Sequence, residues 1–230
     1  MKHWRLCFSF WVLSVVGLAA ASDIVELPVA ARSHVPAGWK VIEQVTGDLN
    51  GDGLPDLVFV REEQDPKKIT KHPGIEGYNL NTNTRVLVVL LADKSGYRKV
   101  GETSKLIMPA CLDVFDNCGD CYGGVQLSKG VLHVRFDWYP SVGAWWETCS
   151  YKFRLEEGRL RLIGSESDSW HRASGEKTLA SVNYLTGRRK LTAGLNEFDE
   201  KLSRPKDTWE RFDAKKPIYL EDLPAGGQTR

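Results

Sequence analysis

The chain has no excess of either charge. Its 31 Lys and Arg against 30 Asp and Glu leave a formal +1, and no polybasic block breaks the mixture. That balance argues against nucleic acid and anionic membrane surfaces as partners. Histidine is scarce too, and His34, His72, His133 and His171 include no pair at a metal-ligand spacing. There is no G-x-S-x-G elbow and no Gly-rich phosphate loop opening a helix. Ser169-Trp-His171 lacks a separate nucleophile, base and orienting group. His133, Arg135 and Asp137 alternate along one run; a solvated mixed-charge strand face accounts for them more simply than acid–base chemistry. Without a recognisable catalytic set, the expectation is a protein that binds rather than one that catalyses.

Long apolar runs are equally few. The one at the N-terminus, Leu6–Ala21, follows Lys2 and Arg5 and ends in Ala19-Ala20-Ala21. A short basic region, an apolar stretch below the ~20 residues a spanning helix needs, and small residues for cleavage describe a secretory signal peptide over 1–21. Cys7 lies far from the small residues, so no lipoprotein attachment signal is read. The expected location is the periplasm or the exterior, with no membrane span after cleavage. The remaining 22–222 is expected to form one domain, with 223–230 a flexible tail.

What the chain does have is Asp48-Leu-Asn-Gly-Asp-Gly-Leu-Pro-Asp56. Side-chain oxygens fall at its first, third, fifth and ninth positions, Asp48, Asn50, Asp52 and Asp56, and the backbone carbonyl of Leu54 falls at the seventh. Calcium is a hard cation that takes six to eight oxygens, and a Gly after the third ligand lets the chain turn tightly around it. An EF-hand would need a bidentate Glu where Phe59 stands. Leu57-Val-Phe-Val60 also reads as a strand, so the site is a strand–loop–strand one. The alternative is a plain polar hairpin turn made by Asn50-Gly51 and Asp52-Gly53, which leaves Asp48 and Asp56 without a purpose.

This loop resembles the aspartate-rich motif of FG-GAP and VCBS-type repeats, Gly-Asp-x-Asn-Gly-Asp-Gly-x-x-Asp before an apolar strand, over Gly47 to about Val60. The resemblance implies a bound Ca2+ with Asp48, Asn50, Asp52, Leu54 and Asp56 as ligands. Those families assemble propellers from several copies, and this chain has one, so a full propeller is not implied. The wider layout resembles small exported bacterial proteins that share a GDLNGDG-type start, a central strand, a cysteine-glycine segment and Trp/Tyr-rich strands. That likeness carries fold and compartment, not activity.

Cys111, Cys118, Cys121 and Cys149 remain after a leader is removed. In an oxidising compartment four thiols read as two disulfides with three pairings. Cys118-Gly-Asp-Cys121 also has the spacing of zinc and redox motifs, but Tyr122-Gly-Gly opposes the helix that a redox motif opens, and zinc needs reduced thiols.

The rest alternates with period two. Strands are expected at Val41–Val45, Leu57–Arg61, Arg85–Leu91, Tyr97–Val100, Gly124–Leu127, Val131–Trp138, Trp145–Leu155, Arg159–Gly164 and Ala180–Leu185. Leu132, Val134, Phe136 and Trp138 share a face, as do Cys149, Tyr151, Phe153 and Leu155. Short Gly-containing turns between them give a mainly-β single domain built on an antiparallel meander covered on one side. Val86–Leu91 is apolar on both faces and belongs at the centre. Gln64–Asn83 reads as a long loop, and Asn196–Leu202 and Thr208–Phe212 as short helical turns. Trp138 and Trp145 are expected in the core. Tyr139 and Trp146, flanking the Pro140–Gly143 turn, are expected at the surface, where their rings could engage a protein or glycan partner.

Together these readings predict an exported calcium-binding interaction module of the cell envelope. An inhibitor or immunity protein against an envelope-targeted enzyme and an unrecognised hydrolase are the alternatives.

Overall fold

The computed structural model describes residues 25–73, 76–110, 120–140, 143–224 and 226. Thirteen strands form three antiparallel sheets, and among the described residues the only helical pieces are short 3-10 turns. The expected mainly-β meander is therefore what forms, but it is divided in two. The smaller sheet has the order β1 (Trp39–Gly47), β2 (Asp56–Glu63), β5 (Arg85–Asp93), β6 (Gly96–Thr103). The larger runs without interruption through β7 (Tyr122–Ser128), β8 (Val131–Trp138), β9 (Trp145–Glu156), β10 (Arg159–His171), β11 (Glu176–Asn183), β12 (Arg188–Asn196) and β13 (Lys206–Arg211). The third is a hairpin, β3 (Ile69–Lys71) with β4 (Asn79–Asn81), inside the stretch read as a loop.

Alternation decides which side chains meet. Val58 and Val60 on β2 and Leu87, Val89 and Leu91 on β5 point to the larger sheet. There they join Leu132, Val134 and Phe136 of β8, Tyr151 and Phe153 of β9, and Leu160 and Leu162 of β10. The intervening residues, Leu57, Phe59, Val86, Val88 and Leu90, bury on the opposite face beneath Leu27 and Ala31 of the N-terminal segment. The smaller sheet is thus covered twice, which is why β5 is apolar on both faces. The larger is covered once. The sheets approach closely at β6, where a Cβ on Gly101 would lie 2.9 Å from Leu160 Cδ1 and 3.2 Å from Leu220 Cδ2.

Two polar clasps tie the sheets together at one corner. Glu43, at a bulge in β1, accepts the Tyr122 hydroxyl at 2.5 Å and the Val125 N–H at 3.2 Å. Burial together with that carboxylate raises the Tyr122 phenol pKa far above its ordinary value. Arg85, 5% exposed, donates Nε to Glu62 at 2.8 Å and both terminal nitrogens to the two oxygens of Asp120 at 2.6 Å. Asp120 thereby fixes the start of β7 to the centre of the smaller sheet.

Other sequence readings are corrected. Thr208–Phe212 is not a helical turn: Lys206–Arg211 is a strand paired with β12. Leu223, expected in the tail, is 1% exposed and packs in the main core. Trp145 shares the core-facing side of β9 but is 44% exposed, because the smaller sheet does not reach that end. The signal peptide, Cys111, Cys118 and most of the expected tail lie outside the described residues.

Candidate functional site

Two places carry the polar side chains that sequence reasoning singled out. The first is the β1–β2 hairpin. Gly51 and Gly53 both have φ +81, the left-handed region that lets the loop fold back on itself. Asp48 accepts the Gly51 N–H at 2.7 Å and the Gly53 N–H at 2.9 Å. Asn50 Oδ1 accepts the Asp52 N–H at 3.0 Å, and Asp52 Oδ1 the Leu54 N–H at 2.8 Å. The two loop amides beneath it hold the Asp48 carboxyl below its ordinary pKa, although desolvation opposes them.

Asp48, Asn50 and Asp52 are exposed, and with the Leu54 carbonyl they supply oxygens of the type a hard cation takes. The donor chemistry thus fits calcium. Asp56 is different. It is fully buried, with Oδ2 accepting the Leu49 N–H at 2.7 Å and Oδ1 the Ala92 N–H at 2.8 Å. It joins the hairpin to the end of β5. Among the described residues, no three or more His, Cys, Asp or Glu side chains gather closely enough to hold a metal.

The second place is the outer face of the larger sheet, opposite the core. No hydrophobic cluster forms over it among the described residues. Register brings three rows together there. Arg135, Ser150, Glu166, Ser181 and Lys190 form one, and Asp137, Thr148, Asp168, Leu179 and Thr192 the next. Beyond them, Trp146 and Trp170 face each other across β9 and β10, and Tyr139 closes the cluster. Between the polar rows lies a trough of about 460 Å³, within the size range of small-ligand sites.

Its lining charges, Arg135, Glu166, Asp168 and Lys190, are matched by neighbours around the rim: Arg135 with Asp137 at 2.8 Å, Glu166 with Lys152 at 2.7 Å, and Asp168 with Lys177 and Lys190 with Asp207 at 2.9 Å. Burial lowers the Lys177 pKa, but hydrogen bonds to Glu197 and Asp168 outweigh it, so the pKa is raised overall. Asp168 Oδ1 is shielded from solvent and has no hydrogen-bond partner among the described residues.

The aromatic row is edge-packed. Tyr139 lies 5.5 Å from Trp146 and 5.7 Å from Trp170, centroid to centroid, and the two indoles are 6.0 Å apart. Trp146 Nε1 donates to the Pro140 carbonyl at 3.3 Å, which fixes its tilt. Tyr139 is exposed, and Trp146 is half-buried by its neighbours. The structure thus brings the two expected partner-binding residues together and adds Trp170. Of the polar rows, the sequence marked only Arg135 and Asp137; the rest were missed, although Glu166-x-Asp168-x-Trp170 spells one face at period two.

Cys121 and Cys149 stand on β7's leading edge and on β9, with β8 between them. Two strand spacings separate them by about 10 Å, beyond the Cα separation a disulfide spans, so they are not bonded to each other. The Cys149 thiol is pushed up to about 11 by burial, with Glu147 adding to the effect, opposite to the shift a nucleophilic cysteine needs. Burial also raises the Glu147 carboxyl.

Comparison with known proteins adds no identity: no family model matches the chain, and no curated protein or solved structure matches it significantly.

Proposed function

We propose that the protein is an exported, non-enzymatic binding module of the cell envelope whose docking surface is the open face of the larger sheet. The observation that carries this reading is a ligand-sized polar trough running into an aromatic cluster on a face of the larger sheet that no hydrophobic cluster covers among the described residues. The matched ion pairs hold their side chains in place before a ligand arrives, which reduces the ordering cost of binding.

Calcium belongs to the proposal as a structural ion. Asp48, Asn50, Asp52 and the Leu54 carbonyl would hold it, with Asp56 anchoring the loop from beneath. Neutralising the crowded Asp48 and Asp52 carboxylates would stiffen the hairpin. The hairpin lies near Gly130 of the β7–β8 turn, at the opposite end of the larger sheet from the aromatic row, so the ion supports the fold and does not touch the ligand.

The test is capture of a partner from an envelope extract by the wild-type protein and by Tyr139→Ala and Trp146→Ala. Loss of the partner in both variants, with melting temperatures retained, is the expected result; unchanged capture removes the proposal.

A further inference from the structure

We infer that the ligand of this face is a neutral oligosaccharide; the inference rests on the binding-module reading above and names its substrate class. The charge pattern of the trough points to a neutral ligand. Arg135, Lys152, Lys177 and Lys190 are each paired with a carboxylate at 2.9 Å or less. An anionic ligand would meet Asp137, Glu166, Asp168 and Asp207 beside every cation, and a cationic one would meet the reverse. A chain of hydroxyl groups meets no such repulsion, because each hydroxyl both donates and accepts.

Side-chain chemistry points the same way. Thr148, Ser150, Ser181 and Thr192 line the trough with small hydroxyl side chains, Thr192 donating its own proton to Asp207 at 2.7 Å, and Arg135, Glu166 and Asp168 add planar groups that can bridge neighbouring hydroxyls. Asp168 Oδ1 is shielded and has no hydrogen-bond partner among the described residues, although the side chain as a whole is 32% exposed. A small rotation of the carboxylate would bring this acceptor to a sugar hydroxyl in the trough, which supplies a donor without bringing a charge.

The aromatic row adds the apolar half of the match. A pyranose ring has a face of C–H groups that packs on an aromatic ring, while its edge carries hydroxyls. Tyr139, Trp146 and Trp170 lie one row from Asp168 on the same face, so a ring stacked there extends its neighbours into the trough. A peptide would instead need unpaired backbone groups for strand addition, and those lie at the edge of the sheet, not on its face.

The test is binding of the full exported chain to immobilised gluco-, manno-, galacto- and N-acetylglucosamine oligosaccharides. Heparin and polygalacturonate serve as charged controls, and solution titration follows by tryptophan fluorescence. Expected is binding to at least one neutral glycan, nearly insensitive to salt, weakened at least tenfold by Asp168→Ala and by Trp170→Ala, with Asp168→Asn intermediate. Circular dichroism and melting curves of each variant separate lost binding from lost folding, and Arg135→Ala provides a second trough variant if Trp170→Ala unfolds. Blank neutral glycans together with a protein partner captured through Tyr139 and Trp146 would overturn the glycan inference while leaving the binding module standing. Blank glycans and no partner lost in any face variant would overturn both. Preference for the charged polysaccharides, with steep salt dependence, would also overturn it.

Discussion

Replacing Asp56 with alanine separates what the β1–β2 hairpin does as a fold element from what it does for an ion. The carboxylate is fully buried and accepts two backbone N–H groups, from Leu49 at 2.7 Å and Ala92 at 2.8 Å. Removing it leaves two donors without partners in a site that water does not reach. Each such orphan costs about 1–3 kcal/mol, so the expected loss is about 4 kcal/mol. At about 2–4 °C per kcal/mol for a domain of this size, melting should fall by about 8–16 °C. Urea denaturation of wild type, Asp56→Ala and Asp56→Asn, each with calcium and with chelator, reads this directly. Asn should lie between, since its amide keeps one acceptor but turns a donor toward the other N–H. The Asp56→Ala loss should persist in chelator. A destabilisation under about 1 kcal/mol, or one present only with calcium, would refute the assignment of Asp56 as a staple between the hairpin and β5.

Four further outcomes are expected. Wild-type melting should drop when calcium is chelated, and Asp52→Ala should abolish that response; identical curves with and without calcium count against the ion. Asp120→Ala strips Arg85 of its bidentate partner and leaves a buried guanidinium with Glu62 alone. It should cost about 3 kcal/mol by urea denaturation, whereas a neutral effect would show the clasp to be dispensable. Burial and Lys152 depress the His133 pKa from 6.5, so the native state binds its proton less readily than the unfolded chain. Stability from this group is present above pH 6.5 and declines as pH falls through the depressed native value. His133→Gln should flatten that acid limb of a melting-temperature profile, and an unaltered limb would remove His133 as its source. In the reduced protein, the Cys149 thiol, pushed from 9.0 to about 11, should alkylate about 100-fold more slowly than an ordinary thiol at pH 8. Peptide mapping after timed iodoacetamide treatment measures this, and a fast Cys149 would mean that the strand opens.

Alternation in the sequence marked most strands, because each has one apolar face and the period survives in the chain itself. Leu132, Val134 and Phe136 opposite Tyr151 and Phe153 are the clearest instance. The unbroken apolar run of β5 likewise announced a strand covered on both faces. The division into two sheets was not legible, since it depends on which face of β2 meets which face of β8, a contact between distant residues. β13 escaped notice because every residue in it is exposed, leaving no apolar period to read. The polar trough escaped for a related reason. Arg135, Ser150, Glu166, Ser181 and Lys190 come from five strands and become a row only through register. The pairing of Asp120 with Arg85 was equally illegible, because only the fold brings the two side chains together.

The two margins of the larger sheet have unequal fates. β7 is held at its flank by the Glu43 clasp, whereas β13 ends the meander with no strand beside it among the described residues. Lys206, Asp207, Glu210 and Arg211 stud that margin with charge, which discourages another chain from adding to it. The core lies several strands away, beneath β8 to β10. Lineages could therefore lengthen or trim this flank hairpin by hairpin without repacking the interior, and neutralising its charges should let two copies pair along β13.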